Sequence, residues 1–161
     1  MKKTVLGLSL STILLAAPIS AYSQTLWQDS EKGMTVEQVK QNFPNAIEPS
    51  TIAKFHGDAK ALLEIPEYKI GMDTFKVQFV FKESELDIVR MVKNGGSAQV
   101  GFSNMKKLLK TKYGEPLDTT SNDLFYSITW LDNGTSISLS NSLNNLIIIY
   151  RADDAKEANK L

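Results

Sequence analysis

Phe75-Lys76-Val77-Gln78-Phe79-Val80-Phe81-Lys82 alternates large apolar side chains with mostly polar ones. In an extended chain this collects Phe75, Val77, Phe79 and Phe81 on one side and leaves Lys76, Gln78, Val80 and Lys82 on the other. A strand with one bulky and one wet face belongs to an antiparallel sheet that is covered on one side. Upstream, Ala61 to Ile70 reads as a strand interrupted by Pro66, which has no amide to donate and so belongs at an edge or a bulge. Downstream, the polar turn Glu83-Ser84-Glu85 leads to a third strand over Leu86 to Val92.

A helix precedes these strands. Thr35 and Gln38 have the spacing of a capping box, with Val36, Val39 and Phe43 forming one apolar stripe before Pro44 ends the run. Residues 45–60, with Pro49 and Gly57, read as a connecting loop. After Asn94-Gly95-Gly96, the pattern returns to a helix over Ser103 to Tyr113. Met105, Leu108, Leu109 and Tyr113 face inward there, Lys106, Lys107, Lys110 and Lys112 face water, and Gly114 and Pro116 follow. Tyr126, Ile128 and Trp130 then alternate along a strand, and Asp132-Asn133-Gly134 marks a hairpin. Ile137 and Leu139 alternate with Ser136, Ser138 and Ser140 in the return strand. Leu146 to Tyr150 is continuously apolar, as expected of a central strand covered on both sides.

The expected fold is therefore α+β: two tandem α-β-β-β units, residues 24–96 and 97–151, whose antiparallel strands join one sheet or two abutting ones with the helices packed on one face. The helix starts correspond, Gly33-Met34-Thr35 against Gly101-Phe102-Ser103, each a glycine, an apolar residue and a hydroxyl. Gly33-Met34-Thr35 with Glu37-Gln38-Val39 resembles the opening of small outer-membrane lipoproteins of the SmpA/OmlA type. The doubled arrangement is similar to the tandem fold of beta-lactamase inhibitory proteins. The resemblance implies a fold used to bind proteins rather than to catalyse. This chain has no cysteine, so neither the lipid anchor of the former nor the cysteines of the latter carry over.

At the N-terminus Lys2 and Lys3 precede an apolar run from Val5 to Ala17 and the small-residue exit Ser20-Ala21-Tyr22-Ser23. That is the layout of a secretory signal peptide, 1–23, cleaved after Ser23 or Ala21, and the run is too short to span a bilayer. The expected location is the periplasm of a Gram-negative-type envelope or the medium, with no stable membrane anchor after cleavage. Without the two signal lysines, 18 basic side chains become 16 against 18 acidic ones, a net charge near −2. That balance argues against nucleic acid as a partner. The tail 152–161 is charged and reads as a frayed helix or as disordered.

Reactive groups are sparse. His56 is the only histidine and lies in the loop-like His56-Gly57-Asp58. The carboxylates Glu83, Glu85 and Asp87 read as a soluble turn, and Asp118, Asn122 and Asp123 lack the glycine and closing glutamate of a calcium loop. No cofactor, metal or catalytic residue is expected. The expected function is a soluble, non-catalytic module binding another envelope protein through an open sheet face or an edge strand. Trp27, Tyr68, Tyr126 and Trp130 are the candidate binding residues, because tryptophan and tyrosine concentrate interface energy. Strand parity leaves open which of them face the helices. The alternative is a binder of a small or lipidic ligand, with Phe75, Phe79, Phe81 and Leu109 lining a cavity between helices and sheet.

Overall fold

The computed structural model describes residues 23–122, 125–142 and 144–153. Residues up to Tyr22, where the signal peptide is expected, Asp123, and the tail beyond Asp153 lie outside the described residues. A short hairpin, β1 (Thr25–Trp27) and β2 (Ser30–Glu31), leads into α1 (Val36–Asn42). Then follow β3 (Lys60–Ile70), β4 (Asp73–Lys82), β5 (Glu85–Lys93), α2 (Ala98–Tyr113), β6 (Asp118–Asn122), β7 (Phe125–Asp132), β8 (Thr135–Ser142) and β9 (Asn145–Ala152). The last seven strands make one antiparallel sheet in the order β3-β4-β5-β9-β8-β7-β6. The chain is thus α+β and dominated by its sheet.

Local chemistry accounts for most boundaries. The Thr35 hydroxyl accepts from the Gln38 amide at 3.3 Å, while Gln38 Oε1 accepts from the Thr35 amide at 2.8 Å, the reciprocal capping box its spacing predicts. Gly33 and Met34 are held by backbone bonds to Leu86, the Gly33 amide donating to its carbonyl and its amide donating to the Met34 carbonyl, both at 2.8 Å. This pins the segment before α1 to the start of β5. β3 is the outer strand, and its register slips between Ile65 and Tyr68, where Pro66 cannot continue the ladder.

Several expectations are corrected. The second helix starts at Ala98, with the Ser97 side chain accepting from the Val100 amide, so Ser103 is an interior residue and not a cap. The likeness between Gly33-Met34-Thr35 and Gly101-Phe102-Ser103 is therefore not one of helix starts. Four strands follow α2 instead of three. β6, Asp118-Thr-Thr-Ser-Asn122, is exposed along its whole length and has no apolar alternation to announce it. And β9, although central, is covered on one side only: Leu146, Ile148 and Tyr150 are buried, whereas Ile147 and Ile149 remain part-exposed on the other face.

One contiguous core lies between the sheet and both helices. It joins Val39 and Phe43 from the first helical segment and Ala98, Met105 and Leu109 from α2 to Phe75, Val77, Phe79, Phe81, Val89, Met91, Ile128, Trp130, Ile137, Leu139 and Ile148. Leu108, expected inward, is exposed instead. Gly101 is buried where α2 crosses the sheet. A Cβ there would lie 2.7 Å from Lys93 Cε and 3.0 Å from a Leu146 methyl. The Lys93 stem is not free to move, because its ammonium pairs with Asp73 at 3.3 Å with both side chains nearly buried. Gly101→Ala should therefore destabilise the fold by about 1–2 kcal/mol. The overpacking cost, ~1–3 kcal/mol, outweighs the roughly 1 kcal/mol by which alanine is the better helix former. Chemical denaturation of the two proteins checks this; an unchanged or raised midpoint would contradict the close approach.

Candidate functional site

The aromatic residues singled out as binding anchors face the helices. The Trp27 ring is 6% exposed, stacked on Phe43 at 5.6 Å and met edge-on by Tyr68 at 5.1 Å. Trp130 is 1% exposed, and its indole Nε1 donates to the Gly114 carbonyl at 3.0 Å, satisfying the end of α2. Tyr126 is half-buried against the edge of Phe102 at 5.2 Å, and the half-buried Tyr68 accepts at its hydroxyl from Gln28 Nε2 at 2.6 Å. Trp27 and Trp130 are core residues, so the four do not assemble into an exposed patch. Phe75, Phe79, Phe81 and Leu109 likewise fill the core rather than line a cavity. Near them burial raises the Tyr150 hydroxyl well above the usual phenol range, helped by the neighbouring Tyr113 hydroxyl.

The opposite face of the sheet is a different surface. Strand register sets its rows: Gln78, Arg90, Ile149, Ser138 and Thr129 lie side by side from β4 to β7, and Lys76, Val92, Ile147, Ser140 and Ser127 form the next row. The two central strands thus contribute an apolar band, Val92, Ile147 and Ile149, none of which joins either buried cluster. Toward β6 the band gives way to part-exposed hydroxyls, and Leu131 adds a side chain that is 43% exposed. The alternation of β8, apolar inward and serine outward, produces the hydroxyl rows directly.

A loop crosses one corner of this face. Residues 53–60 double back through a 3-10 turn, His56–Asp58, where Gly57 and Asp58 take positive φ (69° and 62°). The Phe55 amide donates to the Ala59 carbonyl at 2.8 Å, and the Ala61 amide donates to the Ala53 carbonyl at 3.0 Å. This hangs Phe55 over the sheet beside Val80 and Ile88. Under it a pocket of about 290 Å³ opens, floored by Val80, Ile88 and Ile149 and rimmed by His56, Asp87, Arg90 and Arg151. The Arg90 guanidinium lies 5.6 Å from the Phe55 ring centroid and donates from Nη1 to Gln78 Oε1 at 2.6 Å. Burial holds its pKa below the usual arginine value.

Neither arginine was singled out from the sequence. The one available signal is Arg151 directly after the apolar run Leu146 to Tyr150. His56 is exposed, and its side chain forms no hydrogen bond or ion pair among the described residues. Glu83 and Glu85 are exposed in and beside the β4–β5 turn, and Asp87 alone of that cluster reaches the pocket. Among the described residues no three histidine or carboxylate side chains converge as metal ligands. A second, larger hollow of about 550 Å³ lies on the helix side between β1 and the end of α2, bordered by Trp27, Tyr113, Asn133 and Thr135. No helix among the described residues is long and apolar enough to cross a membrane. No family model, no curated protein and no solved structure matches the chain.

Proposed function

We propose that this chain is a secreted, non-catalytic module of a Gram-negative-type envelope that binds another protein across the uncovered face of its sheet. The observation that carries this reading is the apolar band of Val92, Ile147 and Ile149 in the two middle strands, left part-exposed and flanked by hydroxyls. An apolar patch rimmed by polar groups is the usual surface of a protein partner. The edge strand β6, exposed from Asp118 to Asn122, adds a sheet edge beside that face. The resemblance to SmpA/OmlA-type proteins and to tandem inhibitory proteins supports the same use. So does the chain order of helix, three strands, helix and four strands, which we read as two diverged tandem units.

Ile147→Asp places a charge in the band without touching the core. It should weaken partner binding at least ~10-fold, while stability falls by no more than about 1 kcal/mol, as is usual for a part-exposed site. Surface plasmon resonance against the partner, with a thermal melt in parallel, reads both quantities. Unchanged affinity would remove the sheet face from consideration. A second reading, a small-ligand binder, rests on the 550 Å³ hollow beside Trp27 and Tyr113. Native mass spectrometry of the purified protein, showing a bound small mass, would favour it.

A further inference from the structure

The pocket at the corner of the open face is lined by two arginines, neither of which has an ion-pair partner among the described residues. Arg90 is part-buried, yet its partners are neutral, the Gln78 amide oxygen and the Phe55 ring. Among the described residues no carboxylate lies within ion-pair distance of Arg90 or of Arg151, and Asp87, which shares the pocket, is paired with neither. Withdrawing a guanidinium from water without a counter-charge is costly, and a buried charge normally has a partner. Only one of its five donors is engaged by Gln78.

The two arginines are placed to act together. Arg90 on β5 stands opposite Ile149 on β9, so Arg151, two residues further along β9, is its diagonal neighbour on the same face. Such positions are about 7–8 Å apart at the backbone, within reach of two long side chains closing on one group. Between them the floor is apolar, made by Ile88 and Ile149, with the Phe55 ring as a wall. The volume suits one or two side chains rather than an extended small molecule.

We propose that this pocket is the specificity determinant of the binding face: it takes a carboxylate next to an apolar side chain on the partner protein, from an acidic residue or a free C-terminus. The inference rests on the protein-binding reading above. Arg90 and Arg151 hold the carboxylate through the paired N–H geometry that guanidinium offers a planar anion, and the apolar neighbour seats on Phe55 and Ile149. Asp87 at the rim favours a monoanion over a phosphate dianion, because each further negative charge adds repulsion at short range. Recognition then continues along the apolar band toward Ile147.

The test is a library of random dodecapeptides, displayed in one arm with a free C-terminus and in the other with that end blocked, selected on the full mature chain. Enriched peptides should carry an acidic residue or a free C-terminus beside leucine, isoleucine or phenylalanine. Their Kd should rise at least ~10-fold with Arg151→Gln and with Arg90→Gln, as expected on losing a charge-assisted pair, and should rise with salt. Arg90→Lys should restore part of the loss, and Lys107→Gln, on the outer side of α2, should change nothing. Because Arg151 is exposed, its variant should melt like the parent, which separates recognition from folding. Peptides that lose binding with Ile147→Asp but not with either arginine variant would overturn the carboxylate pocket and leave the sheet face standing. Peptides indifferent to all three substitutions would overturn both. Failure to enrich any peptide overturns the pocket as proposed.

Discussion

Replacing Trp130 by Ala should lower the unfolding free energy by about 3–5 kcal/mol, the cost of removing a large aromatic from a packed core. The side chain is 1% exposed, sits under α2 and gives its only polar group to the Gly114 carbonyl. Truncation therefore opens a cavity and also leaves the helix end without its donor. Against a typical domain stability of about 5–15 kcal/mol this is a large fraction. Trp130→Phe keeps most of the volume and should lose only about 1–2 kcal/mol. Denaturant unfolding followed by circular dichroism measures both. A loss below about 1 kcal/mol for Trp130→Ala would mean that the residue is not the core plug described here.

Asp73→Asn should be nearly as damaging, because it removes one partner of an ion pair and leaves the other charge in place. Asp73 and Lys93 lie 3.3 Å apart with side chains 11% and 9% exposed, and Asn104 of α2 reaches the second carboxylate oxygen at 3.4 Å. Breaking such a pair from one side costs about 3–5 kcal/mol, whereas replacing both partners by apolar residues of similar size is often neutral. Asp73→Leu combined with Lys93→Met should accordingly recover most of the loss. If the double variant were no better than the single one, the pair would matter for its geometry at the Gly101 crossing and not for its charge.

These two sites show what was legible in the sequence. The capping box at Thr35 and Gln38, the inward face of Phe75, Val77, Phe79 and Phe81 and the Asn133-Gly134 hairpin are local and present as read, but the other face of that strand is not wet: Gln78 and Val80 are buried there, Val80 beside Phe55 of the crossing loop. What failed depended on contacts distant in sequence. Gly101 reads as the lead-in to a helix starting at Ser103, yet it is inside α2, where the Lys93 stem and Leu146 leave no room for a side chain. β6 has five polar residues and becomes a strand only because β7 pairs with it. Tyr126, Ile128 and Trp130 alternate correctly, but alternation is blind to which face a helix covers. The same blindness hid the site. Arg90, Arg151 and Phe55 come from a strand, a second strand and a loop, and only the folded sheet brings them to one pocket.

The continuous apolar run of β9 gains a different meaning from this. Leu146, Ile148 and Tyr150 serve the core, whereas Ile147 and Ile149 lie on a face that no described helix covers. On the function proposed above, this strand, which reads as buried on both sides but is buried on one, receives its second layer from a partner protein.

The most direct measurement of that claim is site-specific photocrosslinking in living cells, with a photoreactive amino acid at position 149 on the open face and, separately, at position 107 on α2. The account predicts a discrete protein adduct from position 149 and none from position 107. Adducts from position 107 alone would place the partner on the helices and contradict it.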